Sequence, residues 1–235
     1  MKDALYMTDS YLKEFEAIVQ SIKDDKYVIL DKTAFYPQGG GQPFDTGVMK
    51  NNDDDYPVIF AGKFEGSISH EVSKPGLKVG DLVNCKIDWQ RRYKLMRMHT
   101  SAHIIDAILY QEAGALCTGN QLGLDKSRID FSLDTLDRDK IQQYVDMANE
   151  WVRKAVDVKI YFLPREEALK IPGIVKLASV MPPEVKELRI VEILGIDIQA
   201  DGGTQVKNTS EIGKISLVSV ENKGKNNRRM YYTVD

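Results

Sequence analysis

The feature that most constrains the fold is a change of sequence pattern near residue 88. From Asp88 to Ala113 the chain contains neither glycine nor proline, and Leu95, Ala102, Ile105 and Leu109 recur at helical spacing. Before this segment, short apolar runs are separated by polar or glycine-bearing turns, a pattern typical of β-strands. The sequence therefore predicts a β-rich first part, residues 1–88, and a second part, residues 89–235, that begins with a long helix.

The first part is predicted to form a small β-barrel, because short strands follow one another at close spacing. Glu14 to Ile22 and Tyr27 to Leu30 flank the turn-like segment Lys23-Asp-Asp-Lys26, which indicates a hairpin. A second turn is predicted at Asn51-Asn-Asp-Asp-Asp55. The remaining predicted strands are Gly47 to Lys50, Val58 to Phe64, Ser67 to Val72 and Leu82 to Trp89.

The second part is predicted to be an α+β domain with an antiparallel sheet. Asp137 is a good N-cap for a helix that runs to about Ala155. Pro164 begins a third, short helix with acidic residues in its first turn. Strands are predicted at Val158 to Leu163, Leu188 to Leu194, Lys214 to Val220 and Met230 to Val234.

Composition excludes several classes of protein. No segment approaches the roughly 18 uncharged apolar residues that a membrane span needs. The first ten residues lack the apolar run of a signal peptide, so we expect a soluble, cytoplasmic protein with no membrane partner. Two cysteines, Cys85 and Cys117, exclude a disulfide framework.

The net charge of −3 conceals two basic segments, residues 86–97 and 223–229. Local basic patches can bind phosphate even on a mildly acidic protein. Solvated surface charge is the alternative interpretation, and it is the better one for either patch taken alone.

His99 and His103 are the clearest candidates for chemistry. Side chains four residues apart on a helix are neighbours, so both imidazoles can bind one metal ion. Chance placement on a helix face is the competing interpretation, slightly favoured for this pair alone. Zinc proteases share this spacing but carry a glutamate general base after the first histidine. The residue here is Thr100, which argues against a protease.

Two glycine-rich segments are further candidates. Asp201-Gly-Gly-Thr-Gln205 could supply the third ligand that a zinc site needs. Gly39, Gly40 and Gly41 lie in Tyr36-Pro-Gln-Gly-Gly-Gly-Gln-Pro43, which lacks the ending of a phosphate-binding P-loop. Each segment could equally be an ordinary glycine turn.

Together, these motifs resemble the AlaX proteins, freestanding alanyl-tRNA editing proteins related to the editing domain of alanyl-tRNA synthetase. The resemblance covers nearly the whole chain. It rests on Tyr36-Pro-Gln-Gly-Gly-Gly-Gln-Pro43 with Asp45 and Gly47, on His99-Thr-Ser-Ala-His103, and on Asp201-Gly-Gly-Thr-Gln-Val206 with Asn208-Thr209, Glu211-Ile212-Gly213 and Arg228-Arg229. It implies an N-terminal β-barrel followed by an α/β editing domain, as in the medium-length type. The implied reaction is hydrolysis of the ester between tRNA for alanine and a wrong amino acid, serine or glycine.

The chain departs from that family at two positions. The family usually has cysteine and histidine as zinc ligands where this chain has Asp201 and Gln205. A carboxylate can replace a thiolate on zinc, but an amide is a poor ligand. A three-ligand site with an open position and a site that binds metal weakly or not at all are therefore both compatible with the sequence.

The resemblance and the spacing together give a set of predicted site residues. One Zn²⁺ per chain is predicted on His99, His103 and Asp201, with Gln205 at the edge of the metal or on the substrate. Predicted substrate-binding residues are Thr100, Gly39, Gly40, Gly41, Gln42, Gly202, Gly203 and Thr204, and predicted tRNA-binding residues are Lys94, Arg97, Arg228 and Arg229.

The leading hypothesis is a trans-acting deacylase with tRNA for alanine as its partner. The alternatives are a tRNA-binding module whose catalysis has decayed and an editing hydrolase for another tRNA, such as threonyl-tRNA. No adenylate-forming motif is visible, so we expect no aminoacylation.

Overall fold

A computed structural model of the chain describes residues 3–172, residue 174 and residues 185–235. The chain forms two compact units, Met1–Leu95 and Met96–Asp235. The sequence pattern predicts a division after residue 88, before the long helix, whereas the boundary between the compact units falls inside that helix.

The first unit contains a closed antiparallel barrel, which confirms the predicted fold class. The strands follow the order β1-β2-β5-β4-β3-β6 around the barrel. Val19, Val28, Phe35, Met49 and Ile87 lie in its apolar core. The strands are β1 (Glu14–Lys23), β2 (Tyr27–Leu30), β3 (Gly47–Asn51), β4 (Asp54–Phe64), β5 (Ser67–Val72) and β6 (Leu82–Ile87).

Two predicted boundaries of the barrel strands are wrong. The predicted turn over residues 51–55 is shorter, because Asn51 pairs with Asp54 and the acidic residues that follow begin β4. Asn52 has the positive φ of 52° that such a tight turn requires. Strand β6 ends at Ile87, and Trp89 begins a helix instead of ending the strand.

The second unit contains two antiparallel sheets among the described residues, not the single sheet predicted. One has the order β11-β10-β9 and the other β12-β13-β8-β7. Their strands are β7 (Cys117–Gln121), β8 (Ser127–Phe131), β9 (Val158–Pro164), β10 (Glu187–Ile193), β11 (Asp197–Ala200), β12 (Ile215–Asn222) and β13 (Arg228–Val234); the α-helices are α1 (Trp89–Ala113), α2 (Arg138–Arg153) and α3 (Arg165–Ala168).

Helix α1 is central to the second unit. Every residue of its segment 98–109 is buried, as expected for a helix with apolar neighbours on all sides. The hydroxyl of Tyr232 on β13 donates a hydrogen bond to the carbonyl oxygen of Met98, 2.8 Å away. Helix α2 begins as predicted: the Asp137 side chain accepts a hydrogen bond from the Lys140 amide. Within the described chain, no helix is long and apolar enough to cross a membrane.

Candidate metal centre

Helix α1 places His99 and His103 side by side. Their ring centroids are 5.2 Å apart and the rings are tilted by 32°. Both side chains are almost fully buried. The four-residue spacing on a helix thus brings two imidazoles to one point, as the sequence predicts.

Asp201 reaches the same point from the end of strand β11. Its two carboxylate oxygens lie 3.6 Å from Nε2 of His99 and 3.9 Å from Nε2 of His103. One ligand atom from each of the three residues lies within 4.8 Å of the others. The three predicted metal-binding residues therefore come together, although Asp201 is about a hundred positions away from the histidines.

A set of hydrogen bonds fixes the Asp201 carboxylate. It accepts bonds from the amide of Gly203 at 2.8 Å and from Nε2 of Gln205 at 3.0 Å. The guanidinium of Arg189 binds the Asp201 carbonyl oxygen at 2.7 Å and lies 3.7 Å from the carboxylate. The hydroxyl of Thr100 donates to Oε1 of Gln205 at 2.7 Å. Gln205 therefore acts on Asp201, and Thr100 acts on Gln205.

A second carboxylate orients His103. Nδ1 of His103 and Oδ2 of Asp197 are 2.8 Å apart. The carboxylate can only accept when ionised, so Nδ1 donates and Nε2 is the atom left to bind a metal. Nε2 of Gln199 donates to both Asp197 and Asp106, each at 3.2 Å.

Sequence reasoning missed Asp197, Gln199, Asp106 and Arg189, although each carried a signal. Asp197, Gln199 and Asp201 alternate with apolar residues, which places them on one face of an extended strand. Asp106 continues the helical face of the two histidines, and Arg189 is a lone cation in an apolar strand.

The protonation states of the site suit a cation. Burial lowers the pKa of His99 to about 4, so this imidazole is neutral at pH 7. Burial also acts to lower the pKa of His103, but the hydrogen bond and charge of Asp197 and the charge of Asp201 outweigh it and raise that pKa. Burial acts to raise the pKa of Asp201, but its electrostatic interactions with His99 and His103, which are both protonated in the acid range where this carboxyl titrates, and with Arg189 hold that pKa well below its usual range. The carboxylates that favour a proton on His103 would equally favour a metal ion.

The donor set fits a divalent metal. Zinc bonds to nitrogen and oxygen are about 2.0–2.2 Å long, so two ligands of one ion lie at most ~4.4 Å apart. The 3.6 and 3.9 Å separations between Asp201 and the two histidines are within that limit. Imidazole nitrogen and ionised carboxylate are ligands that zinc commonly takes, and the metal ion would replace the proton on Nε2 of His103.

Comparison with known proteins agrees with this geometry. A family model for "tRNA synthetases class II (A)" matches residues 5–91, and one for the "Threonyl and Alanyl tRNA synthetase second additional domain" matches residues 188–231. An alanyl-tRNA editing protein AlaX-M of Methanosarcina acetivorans is 51% identical over 243 residues, covering 100% of this chain and 99% of the relative. The chain belongs to the AlaX-M family. An AlaX-M protein of Saccharolobus solfataricus is 50% identical over 237 residues, with 100% and 99% coverage. The alanine–tRNA ligase of Pyrococcus furiosus is 36% identical over 222 residues, which cover 92% of this chain and 24% of the ligase.

In this AlaX-M family member, the glycine-rich segment is a tight hairpin of the first unit. The Gly39 amide donates a hydrogen bond to the Gln42 carbonyl oxygen at 3.1 Å, and the Gln42 amide donates to the Gly39 carbonyl oxygen at 2.9 Å. Gly40 and Gly41 between them have positive φ values of 56° and 83°, which side chains with a Cβ rarely adopt. The Tyr36 hydroxyl donates to the Gly39 carbonyl at 2.9 Å. The loop therefore has a defined shape; Gly39 and Gly40 are exposed and Gly41 is half-buried.

A buried ion pair holds the base of this hairpin. The side chains of Arg92 and Asp45 are both fully buried and form a bidentate pair. Asp45 also accepts a hydrogen bond from the Tyr36 amide at 2.6 Å. Arg92 donates to the carbonyl oxygens of Ser10 and Ala34 as well. All of these residues belong to the first unit.

The four basic residues predicted to bind tRNA lie in different surroundings. Arg228 is 6% exposed and donates to backbone carbonyls, among them that of Asp134. Arg229 forms a paired contact with Asp130, its directly opposite neighbour on β8. Arg97 donates to the carbonyl oxygens of Ile212 and Asp235. Lys94 is half-buried on helix α1.

Proposed function

We propose that this chain is a freestanding deacylase that hydrolyses the ester between tRNA for alanine and a wrong amino acid, chiefly serine and secondarily glycine. The convergence of His99, His103 and Asp201, in a chain of the AlaX-M family, carries the proposal. Charged tRNA is used in translation, so we expect the protein to act in the cytoplasm. A module that had lost catalysis would have no need for the contacts that fix Asp201 and His103, so the decayed alternative is less favoured.

We propose that His99, His103 and Asp201 hold one Zn²⁺ per chain. A bound zinc ion would polarise the ester carbonyl and make a nearby water more acidic. Three protein ligands leave a coordination position open, which is typical of catalytic zinc sites.

The chain's own residues prepare this site. The hydrogen bond from His103 to Asp197 fixes the ring orientation, and the contacts from Gly203 and Gln205 fix the Asp201 carboxylate. Thr100 is completely buried, so it positions Gln205 and has no surface with which to touch the substrate. Such outer contacts are typically worth about 10–100-fold in metal affinity or activity.

A small cavity beside the histidines would distinguish serine from alanine. It measures about 40 Å³, and its lining includes the polar side chains of Asn120 and Gln199. A buried polar site that bonds a substrate hydroxyl can reject the analogue lacking it by about 10⁴–10⁵-fold, because its polar groups are then left unpaired. Correct alanyl-tRNA would be spared for this reason.

We further propose that the glycine hairpin, Gly39 to Gln42, contacts the acceptor end of the tRNA through its exposed residues Gly39 and Gly40. A loop without side chains at its tip lets a ligand approach the backbone closely. Gly202, which is exposed next to Asp201, would contact the aminoacyl group in the same manner. Gly203 and Thr204 are buried, and Thr204 is completely so, which removes Thr204 from the substrate-contacting set for the same reason as Thr100.

For tRNA binding we propose Lys94 first, with Arg97 and Arg229 as secondary contacts. The burial of Arg228 removes it from this set. Replacing Lys94 with glutamine should weaken tRNA binding and reduce the slope of log Kd against log salt by about 0.7–0.9 for the lost phosphate contact. An unchanged slope would assign Lys94 to ordinary surface charge.

The decisive experiment measures deacylation of seryl-tRNA and alanyl-tRNA for alanine, with and without a chelator. We expect rapid hydrolysis of the seryl ester, sparing of the alanyl ester, and loss of activity on chelation. Asp201→Ala should lose both metal, by elemental analysis, and activity. Equal rates on both esters would contradict the proposed preference for the seryl ester. Full activity of metal-free protein would contradict the proposed role of a metal ion. A panel that adds threonine tRNA tests the editing of another tRNA.

A further inference from the structure

We infer that Asp106 binds the α-ammonium group of the mischarged amino acid. This inference rests on the proposed function and adds a substrate-binding residue to it. Asp106 lies seven residues after His99 and three after His103 on helix α1, so all three share one face of the helix. Its side chain lines the same cavity as the two imidazoles.

The cavity offers a small space of mixed polarity beside the two histidines. Its volume of about 40 Å³ exceeds the ~10–15 Å³ that a single water needs, so it has room for a small polar group. Ala102 and Ile129 supply apolar wall, whereas Asn120 and Gln199 supply polar atoms.

Charge assigns the amino group to Asp106. An α-amino group takes up a proton near neutral pH. Beside a divalent metal ion, that second positive charge is repelled unless an anion lies next to it. Among the described residues that line the cavity, Asp106 alone carries a carboxylate, since Asp201 faces the histidines from outside this set.

The structure holds the Asp106 carboxylate in place. The residue is 9% exposed, and Oδ2 accepts a hydrogen bond of 3.2 Å from Nε2 of Gln199. The same amide nitrogen donates to Asp197, the carboxylate that orients His103. The ammonium site and the metal ligand are therefore connected through a single amide group.

The test combines a residue change with a substrate change. The substrates are seryl-tRNA and its analogue with a hydroxyl in place of the α-amino group, each rate being divided by the rate of uncatalysed hydrolysis. Asp106→Asn should lower kcat/KM for seryl-tRNA by about 10–100-fold, the range for a hydrogen bond to a charged group, and leave the hydroxyl analogue nearly unchanged. Glu112→Gln removes a charge from an exposed position of the same helix and serves as the control, with no effect on either substrate expected.

Equal losses on both substrates would mean that Asp106 merely supports the site, and no loss would mean that it is not used; either result overturns the inference. If the variant does not fold, competition experiments on the wild-type protein decide. An adenosine carrying serine through a stable 3′-amide should inhibit more strongly than its α-hydroxyl counterpart, and equal inhibition would overturn the inference. Absence of deacylation by the wild-type chain would instead contradict the proposed function itself.

Discussion

Acid should destabilise the barrel through a single buried histidine, His70. Its ring is completely buried, with Nδ1 2.9 Å from the Val28 carbonyl oxygen and Nε2 2.9 Å from the Thr33 hydroxyl. A carbonyl can only accept, so Nδ1 carries the proton and Nε2 is free to accept from Thr33. Burial lowers the pKa of His70 from 6.5 to about 4.

The magnitude follows from these two pKa values. Between pH 6.5 and 4 the unfolded chain binds a proton at this position and the folded chain does not, so the free energy of unfolding falls as the pH falls. The stability contributed by the neutral ring is complete above pH 6.5. Going from pH 8 to pH 5 should remove about 2 kcal/mol of it.

His70→Asn removes the titrating group, and its amide can still donate to Val28. This variant should be less stable than the parent at pH 8, but the difference should shrink by about 2 kcal/mol at pH 5. Urea unfolding followed by Trp89 fluorescence, in a Trp151→Phe background, reports the first unit specifically. Parallel pH profiles for the variant and its parent would refute the reasoning.

Three further predictions concern other parts of the molecule. Gln205→Ala should weaken zinc binding by about 10–100-fold in a competition titration without unfolding the chain, and unchanged affinity would end its positioning role. Asp45→Asn should destabilise the first unit by about 3–5 kcal/mol in urea unfolding, because it leaves the buried charge of Arg92 unpaired; a loss below about 1 kcal/mol, typical of exposed pairs, would contradict this. Burial raises the pKa of the Cys85 thiol to about 12, so a thiol reagent at pH 8 should label Cys117 in the native protein and Cys85 only after denaturation; rapid labelling of both would show that the barrel opens.

The sequence pattern was sufficient to predict an element of structure wherever the local signals for that element agreed. The barrel hairpin before Leu30, the long helix and the Asp137 cap are encoded by spacing and by turn or cap residues that act over a few positions. The histidine pair is likewise a local signal, because one helix carries both ligands. Asp201 could be predicted as a third metal ligand only because its glycine-rich motif is recognisable in the sequence, without any knowledge that it lies close to the histidines in space.

The features that could not be predicted depend on contacts between residues that are far apart in the sequence. Strand β7, Cys117–Gln121, is short and polar, and its pairing with β8 defines it better than its composition does. The partner of Arg229 is Asp130, 99 positions away, so a basic run that resembled a phosphate site is partly neutralised by its neighbouring strand. Asp197 was missed for the same reason, since its role depends on the histidine that it faces.

The distance along the chain between His99 and Asp201 also determines when the site can exist during synthesis. The six barrel strands are complete by Ile87, so their pairing partners have all been made before His99, the first proposed metal ligand, is translated. Roughly a hundred further residues separate the two ligands, which at about 5–20 residues per second takes about 5–20 s on the ribosome. Throughout that interval the nascent chain offers only two of the three proposed ligands, His99 and His103, and such a site binds metal weakly. The proposed metal site can therefore be completed only after Asp201 has been made, and a nascent chain that stops before this residue lacks the third proposed ligand.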